Sequence, residues 1–371
     1  RFRIKFTKGD DMKPSLDILY LGHMHGTSRH RAEALRRLGN KVEIFDPWDF
    51  FSKEKILKKF IAKLIYEAGA GWIERYVHRR LLSKLKHRHF EVVWSDQCVL
   101  IGLTTTLALQ CNTDYMVTYA IDDPFGSRDR NRFTLYRKAL SLYDLVVVVR
   151  QANVAEAYEH GARNVLRVFR SADEVAHRPL VLTPEGGKKW DTDVAFIGTW
   201  MPERGPFLVR LMELGVPLTL YGDRWEKAWE WHTLKRVWRG PSLAGDAYVK
   251  AIQTAKVCLG LLSKGNRDLH TTRSAEIPYI GSMLCAERTD EHLEMYREDK
   301  EAVFWSAPKE CAERCFSLLA DEPRRKAIAE AGHERCLRSG YLNEPIMELI
   351  LKTRVEPRGT PPASRSSSGK P

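Results

Sequence analysis

Two successive runs of alternating strand-like and helix-like segments predict an α/β chain of two Rossmann-like domains facing a cleft. Short apolar runs recur in each half, with enough chain between them for a helix. Such alternation favours a parallel sheet covered on both faces. The rhythm halts near residues 170–191, where Pro179, Pro184, Gly186 and Gly187 interrupt it, and then restarts. A length of 371 residues suits two cores of ordinary size.

The first domain is expected over residues 15–170. LDILYLG (16–22) reads as a buried strand and residues 23–26 as a loop. Thr27 or Ser28 caps a helix running to Leu38, with Ala32, Leu35 and Leu38 on one face and Gly39 as its stop. KVEIF (41–45) is the second strand. The basic segment 53–89 carries Leu57, Phe60, Ile61, Leu64 and Ile65 at helical spacing. EVVWS (91–95), YMVTYA (115–120), DLVVVV (144–149) and NVLRVF (164–169) complete the domain.

Residues 171–191 form the linker and residues 192–340 the second domain. Its strands are DVAFIGT (193–199), PLTLYGD (217–223), KVCLGLL (256–262), SMLCAE (282–287) and EAVFW (301–305), followed by helix over 308–338. Residues 341–355 supply a last helix able to cross back to the first domain. Residues 1–14 read as an extension and 356–371 as a disordered tail.

Composition removes several function classes. With 43% hydrophobic and 29% charged residues the chain is not globally disordered. No apolar run is long enough to span a bilayer, and the first residues lack the apolar stretch of a secretory signal. Seven cysteines without a CxxC pair suggest neither a disulfide framework nor a zinc site, so a cytoplasmic location is expected.

The net charge of +12 points to an anionic partner. Residues 53–88 hold eleven Lys or Arg against three Glu. This segment is expected to mediate peripheral membrane association or to receive an anionic or lipid-linked acceptor. Nucleic acid is disfavoured, because the interleaved aromatics fit a packed helix face better.

The most informative stretch is NRDLHTTRSAEIPYIG (266–281). A polar loop leaves a strand and enters a helix near Thr271, so free N–H groups at that helix start suit a diphosphate. His270, Thr271 and Thr272 line this entry, Arg273 adds a fork-shaped positive charge, and Glu276 follows on the same face, where a carboxylate can accept from ribose hydroxyls. Gly198 and Arg204 follow the first strand of the second half, and Gly222 and Trp225 the next. The glycines admit a ligand close to the backbone, and Trp225 offers a surface for a flat base.

These loops converge on one sheet edge, where such folds bind ligands. On the opposite domain His25, Asp122 and Asp123 are the candidate bases or acceptor-orienting groups. Asp191 and Asp193 flank a threonine as metal-binding aspartate pairs do, yet precede a strand and are read as non-functional. No metal or other cofactor is expected, since helix N-termini and arginines can neutralise a leaving diphosphate.

These stretches resemble the CgeB-like (spore maturation protein-like) glycosyltransferases over roughly residues 16–350. The likeness is strongest in 193–225 and 271–305, and looser in 21–46 and 119–129. It implies a GT-B fold, a nucleotide-diphosphate sugar donor held by the second domain and cytoplasmic catalysis, and it places weight on Arg273 and Glu276. The chain is also similar to retaining transferases with an E-x7-E motif followed by glycine. Glu276 and Gly281 match the second glutamate and its glycine, whereas Asp268 stands where the first glutamate would. The role of Asp268, and retention against inversion, stay open. The expected function is sugar transfer from a nucleotide-sugar, independent of metal. A nucleotide-sugar epimerase of the same fold and a non-enzymatic polyanion- or membrane-binding protein are the alternatives.

Overall fold

The computed structural model describes residues 15–51, 54–97 and 99–353 and contains two six-stranded parallel sheets. β1 (Asp17–Leu21), β2 (Lys41–Phe45), β3 (Phe90–Asp96), β4 (Thr113–Ala120), β5 (Leu145–Val148) and β6 (Val165–Arg167) align in the order β2-β1-β3-β4-β5-β6. β7 (Thr192–Ile197), β8 (Leu218–Tyr221), β9 (Trp238–Gly240), β10 (Ala255–Gly260), β11 (Leu284–Glu287) and β12 (Val303–Trp305) align as β12-β11-β10-β7-β8-β9. In each half the chain builds outward from its first strand, then returns to that strand's other side. The order therefore reverses between β1 and β3 and between β7 and β10, the positions at which open parallel sheets leave a crevice.

The first sheet is connected by α1 (Gly26–Arg37), α2 (Lys55–Ala68), α3 (Glu74–Leu85), α4 (Leu103–Gln110), α5 (Thr134–Ala139) and α6 (Ala152–Glu159). After α7 (Pro184–Lys188), the second sheet carries α8 (Arg204–Glu213), α9 (Trp231–Leu234), α10 (Asp246–Gln253), α11 (Arg273–Ile280), α12 (Asp290–Met295), α13 (Pro308–Ala320) and α14 (Glu322–Arg338). The described chain ends in α15 (Asn343–Lys352).

Alternate strand residues feed opposite cores, as the two-residue period of a strand requires. Leu19, Val93, Met116 and Val146 pack with Ile65 and Leu81 on one face. Ile18, Val92, Val117 and Val147 pack with Leu35 on the other. In the second sheet Ala195 and Cys258 serve one core, and Val194, Val257 and Leu259 the other.

Two local features go beyond the sequence pattern. Segment 308–338 is two helices, because Asp321 accepts from the Arg324 N–H and caps a new helix with proline in its first turn. β9 is a short sixth strand whose Trp-Arg-Gly sequence carries no alternation. Residues 171–191 are held in place: Ala172 bridges Leu342, and Asp173 accepts from the N–H groups of Val175 and Ala176.

α15 lies against the first half. Ile346, Met347 and Ile350 join the core of the first sheet, Asn343 donates to Asp173 at 3.0 Å, and Glu344 pairs with Arg37. Burying three such side chains is worth about 1.5–3 kcal/mol each. The expected extension 1–14, the expected tail 356–371 and Cys98 lie outside the described residues. The other six cysteines are free thiols. Among the described residues no helix is long and apolar enough to cross a membrane.

Candidate functional site

The crevice at the β7/β10 reversal is bounded by the loop from β7 to α8 and the loop from β10 to α11. Two guanidinium groups stand there. Arg204, the first residue of α8, is buried and donates to the carbonyls of Leu261, Leu262 and Thr199 at 2.7–3.2 Å. Arg273, the first residue of α11, donates to the Ile197 carbonyl at 3.2 Å and to Thr272 Oγ1 at 3.3 Å. Among the described residues neither has a carboxylate within ion-pair distance. Burial and the adjacent Arg273 charge push the Arg204 pKa down to about 10. The nearest negative charges act on them only from a distance, Glu276 on Arg273 and Glu203 and Asp268 on Arg204, which leaves room for an anion to bind both directly.

Hydroxyl groups complete this corner. Ser263 Oγ and Thr271 Oγ1 are buried and have no hydrogen-bond partner among the described residues. Thr272 occupies the N-cap of α11 without a side-chain capping bond, while the N–H groups of Ser274 and Ala275 already donate to the Thr271 and Thr272 carbonyls at 3.1 and 3.0 Å. The arrangement suits an anion with several oxygens.

Glu276 lies one turn into α11 and is 4% exposed. Tyr248 of α10 donates to its Oε2, and His177 Nε2 lies 3.6 Å from its Oε1. A carboxylate has four lone-pair sites, so these contacts orient the group and leave capacity for two more donors.

The glycines and Trp225 are placed differently from the sequence expectation. A Cβ on Gly222, where φ is +146°, would meet the Gly198 carbonyl oxygen at 2.0 Å, so these two loops touch through bare backbone. Trp225 is fully buried, packs edge-on against Phe196, and donates its indole N–H to the Gly198 carbonyl at 2.9 Å. The expectation that Trp225 stacks on a base is corrected: its ring belongs to the core, where its one polar group finds a partner. His270 is corrected likewise. Its buried ring accepts the Arg170 N–H at 2.9 Å through Nε2 and bonds Glu291 through Nδ1, which leaves no ring atom for a ligand. Burial and the nearby Arg170 charge outweigh the Glu291 hydrogen bond and push its pKa down to about 4.

The loop 266–270 also joins the two halves. Asp268 Oδ1 accepts from Arg150 at 2.5 Å and from Arg170 at 2.9 Å. Asp123 is 2% exposed and accepts from the N–H groups of Phe125 and Gly126, from Asn153 and from Arg267. Burial works against its charge, but the hydrogen bonds from Arg267 and Asn153 hold its pKa below the ordinary carboxylate value. In this arrangement Asp123 is a clamp rather than a base, because Arg267, Asn153 and backbone donors occupy its oxygens, while Asp268 holds two arginines through Oδ1. This corrects the expectation of a catalytic role for Asp123.

Asp122 is more accessible. It faces Arg132 at 3.3 Å and Arg128 at 3.8 Å. Burial opposes its charge, and the two arginines overcome that and lower its pKa. His25 is exposed at the N-cap of α1 and makes no capping bond. Its ring lies 5.2 Å from that of His23, which bonds Asp46 at 3.2 Å. Potential ligand atoms of His23, His25 and Asp46 fall within 4.8 Å of one another, as do those of the buried Cys285, Cys311 and Cys315.

Sequence reasoning passed over Arg150, Arg170, Tyr248, His177 and Ser263. A usable signal existed for the first two: each directly follows a predicted strand, the position already used to select Gly198 and Gly222. None existed for Tyr248 or His177, which reach Glu276 from distant segments.

Comparison with solved structures identifies the fold as GT-B. Sucrose-phosphate synthase from Thermosynechococcus elongatus superposes with a TM-score of 0.63 at 12% identity, over 90% of this chain and 97% of that one. HepE from Anabaena in complex with UDP-glucose gives 0.60 at 13% identity, over 91% and 100%. α,α-Trehalose 6-phosphate synthase from Burkholderia multivorans gives 0.59 at 10% identity, over 91% and 98%. Residues 204–352, from α8 to α15, match the glycosyl transferase-like family. No curated protein matches the chain in sequence.

Proposed function

We propose that this chain is a glycosyltransferase that moves a sugar from a nucleotide-diphosphate sugar, bound by the second half, to an acceptor bound by the first. The observation that carries the reading is the pair Arg204 and Arg273, two guanidiniums without a carboxylate partner at the strand-order reversal of a GT-B sheet. Charge grows on diphosphate oxygens as the glycosidic bond breaks. Arginines aimed at that charge stabilise the transition state more than the ground state. Thr271, Thr272 and Ser263 supply further donors. Glu276, oriented by Tyr248, accepts from the ribose. Asp122 and His25 are left to orient or deprotonate the acceptor hydroxyl.

The neutralising charge comes from the protein, so catalysis proceeds without a metal ion, and a chelator is expected to leave the rate unchanged. Free thiols in every described cysteine fit a reducing cytoplasm. Because HepE binds UDP-glucose, uridine diphosphate sugars are the first donors to test.

A thermal-shift panel of nucleotide-sugars tests the donor site. A concentration-dependent rise in melting temperature that requires both diphosphate and nucleoside supports it; no shift with any member defeats it. Assay of sugar release against donor isomerisation then separates a transferase from an epimerase.

A further inference from the structure

We propose that the outer face of α2 docks the protein on an anionic membrane surface. α2 has an apolar arc wider than its core can cover. Ile61 and Ile65 face inward and are buried in the first core. Leu57, Phe60 and Leu64, spaced by three and four residues, lie on the solvent side with Ile56 beside them. Ile56 is 83% and Phe60 58% exposed, and Trp72 in the following turn is 54% exposed. Isolated exposed apolar residues are ordinary, whereas a helical stripe of them on one element marks an interaction surface.

Charge decides the occupant. Lys59 and Lys63, one turn apart and both exposed, border the stripe, and the segment 53–88 carries eleven basic residues against three acidic ones. A helix with an apolar face bordered by lysines lies in the headgroup plane, where its apolar side enters the acyl boundary and its cations meet anionic lipid. A second copy of this chain would bring the same positive face against itself, so self-association is disfavoured by repulsion.

The face is tied to the cleft. Tyr66, on the inner side of α2, donates to the Arg128 carbonyl at 2.6 Å, and Glu67 pairs with Arg130. Arg128 and Arg130 belong to the loop that leaves β4 with Asp122. Docking through α2 thus holds the acceptor side of the crevice near the bilayer, where a lipid-linked acceptor would arrive; this link rests on the proposed function, but docking itself does not.

The test is flotation of the full chain with phosphatidylcholine vesicles, with and without phosphatidylglycerol, in the absence of any nucleotide-sugar. Flotation is expected with the anionic vesicles at low salt and is expected to weaken as salt rises. The double variant Ile56→Glu, Phe60→Glu should cut it by about tenfold or more, with melting temperature and nucleotide-sugar response unchanged because both positions are exposed. Equal flotation of variant and native chains, equal flotation with neutral and anionic vesicles, or none with either, overturns the proposal. So does sedimentation showing a dimer that the double variant dissolves, or RNA binding that the double variant abolishes while vesicles capture nothing. A donor site that fails the nucleotide-sugar panel leaves this result standing.

Discussion

Arg170, just beyond the last strand of the first sheet, and Asp268, in the donor-side loop of the second, are joined by a 2.9 Å hydrogen bond in a buried setting. Arg150 reaches the same carboxylate oxygen. The loop that leads into α11 is therefore anchored on the opposite half by this small set of charges.

Removing that charge exposes two neighbouring guanidiniums. Asp268→Asn keeps the side-chain shape but leaves Arg150 and Arg170 without their counter-charge, at a cost of about 3–5 kcal/mol. A clear fall in denaturation midpoint by chemical unfolding is expected. An unchanged midpoint would show that the clamp contributes nothing.

Arg273→Ala removes half of the unpaired cationic pair. Turnover at saturating nucleotide-sugar should drop by about tenfold or more. Arg273→Lys should recover part of this, since a point charge replaces the fork without its geometry. Initial-rate measurements decide it.

Glu276→Gln and Tyr248→Phe are expected to act mainly on donor affinity. On the proposed function the carboxylate grips a part of the donor remote from the breaking bond, so KM for the nucleotide-sugar should rise by about tenfold for the glutamine variant, with a smaller change in kcat. A fall in kcat at constant KM would instead place Glu276 at the reacting centre.

The buried histidines should make mild acid weaken the fold, against the opposite contribution of Glu174, whose pKa burial raises to about 7. His270 and His292 are both buried, and burial pushes each pKa from 6.5 down to about 4. Between these values the two rings bind more protons in the unfolded chain than in the folded one, so their contribution to stability is full above pH 6.5 and falls as pH drops toward 4. Melting temperature followed across this range should decline, and His270→Gln should flatten the slope. A flat native profile would mean that these rings are protonated in the fold.

Met347 is fully buried in the core of the first sheet although it comes from the end of the described chain. Met347→Ala should cost about 2–5 kcal/mol. Calorimetry should show the loss in the transition that melts the first half.

Much of the architecture was readable because parallel strands buried on both faces leave continuous apolar runs such as LVVV in β5. β9 was not readable, because three residues carry no period. The crevice loops could be located for the same reason as the strands, since ligands gather where strands end. Which side chain in each loop faced the ligand was another matter. Trp225 and His270 look like binding residues in sequence, but the space around them is filled by Phe196 and by Arg170, which come from other segments.

The order of residues alone settled the α/β class, the two halves, and the stretch in which Arg273 and Glu276 stand one turn apart, because these follow from local periodicity. Only tertiary packing decided that Arg204 would lack a carboxylate partner while Asp268 and Asp123 would be consumed by arginines. Charge pairing depends on distances between segments far apart in the chain, and no local pattern encodes those distances.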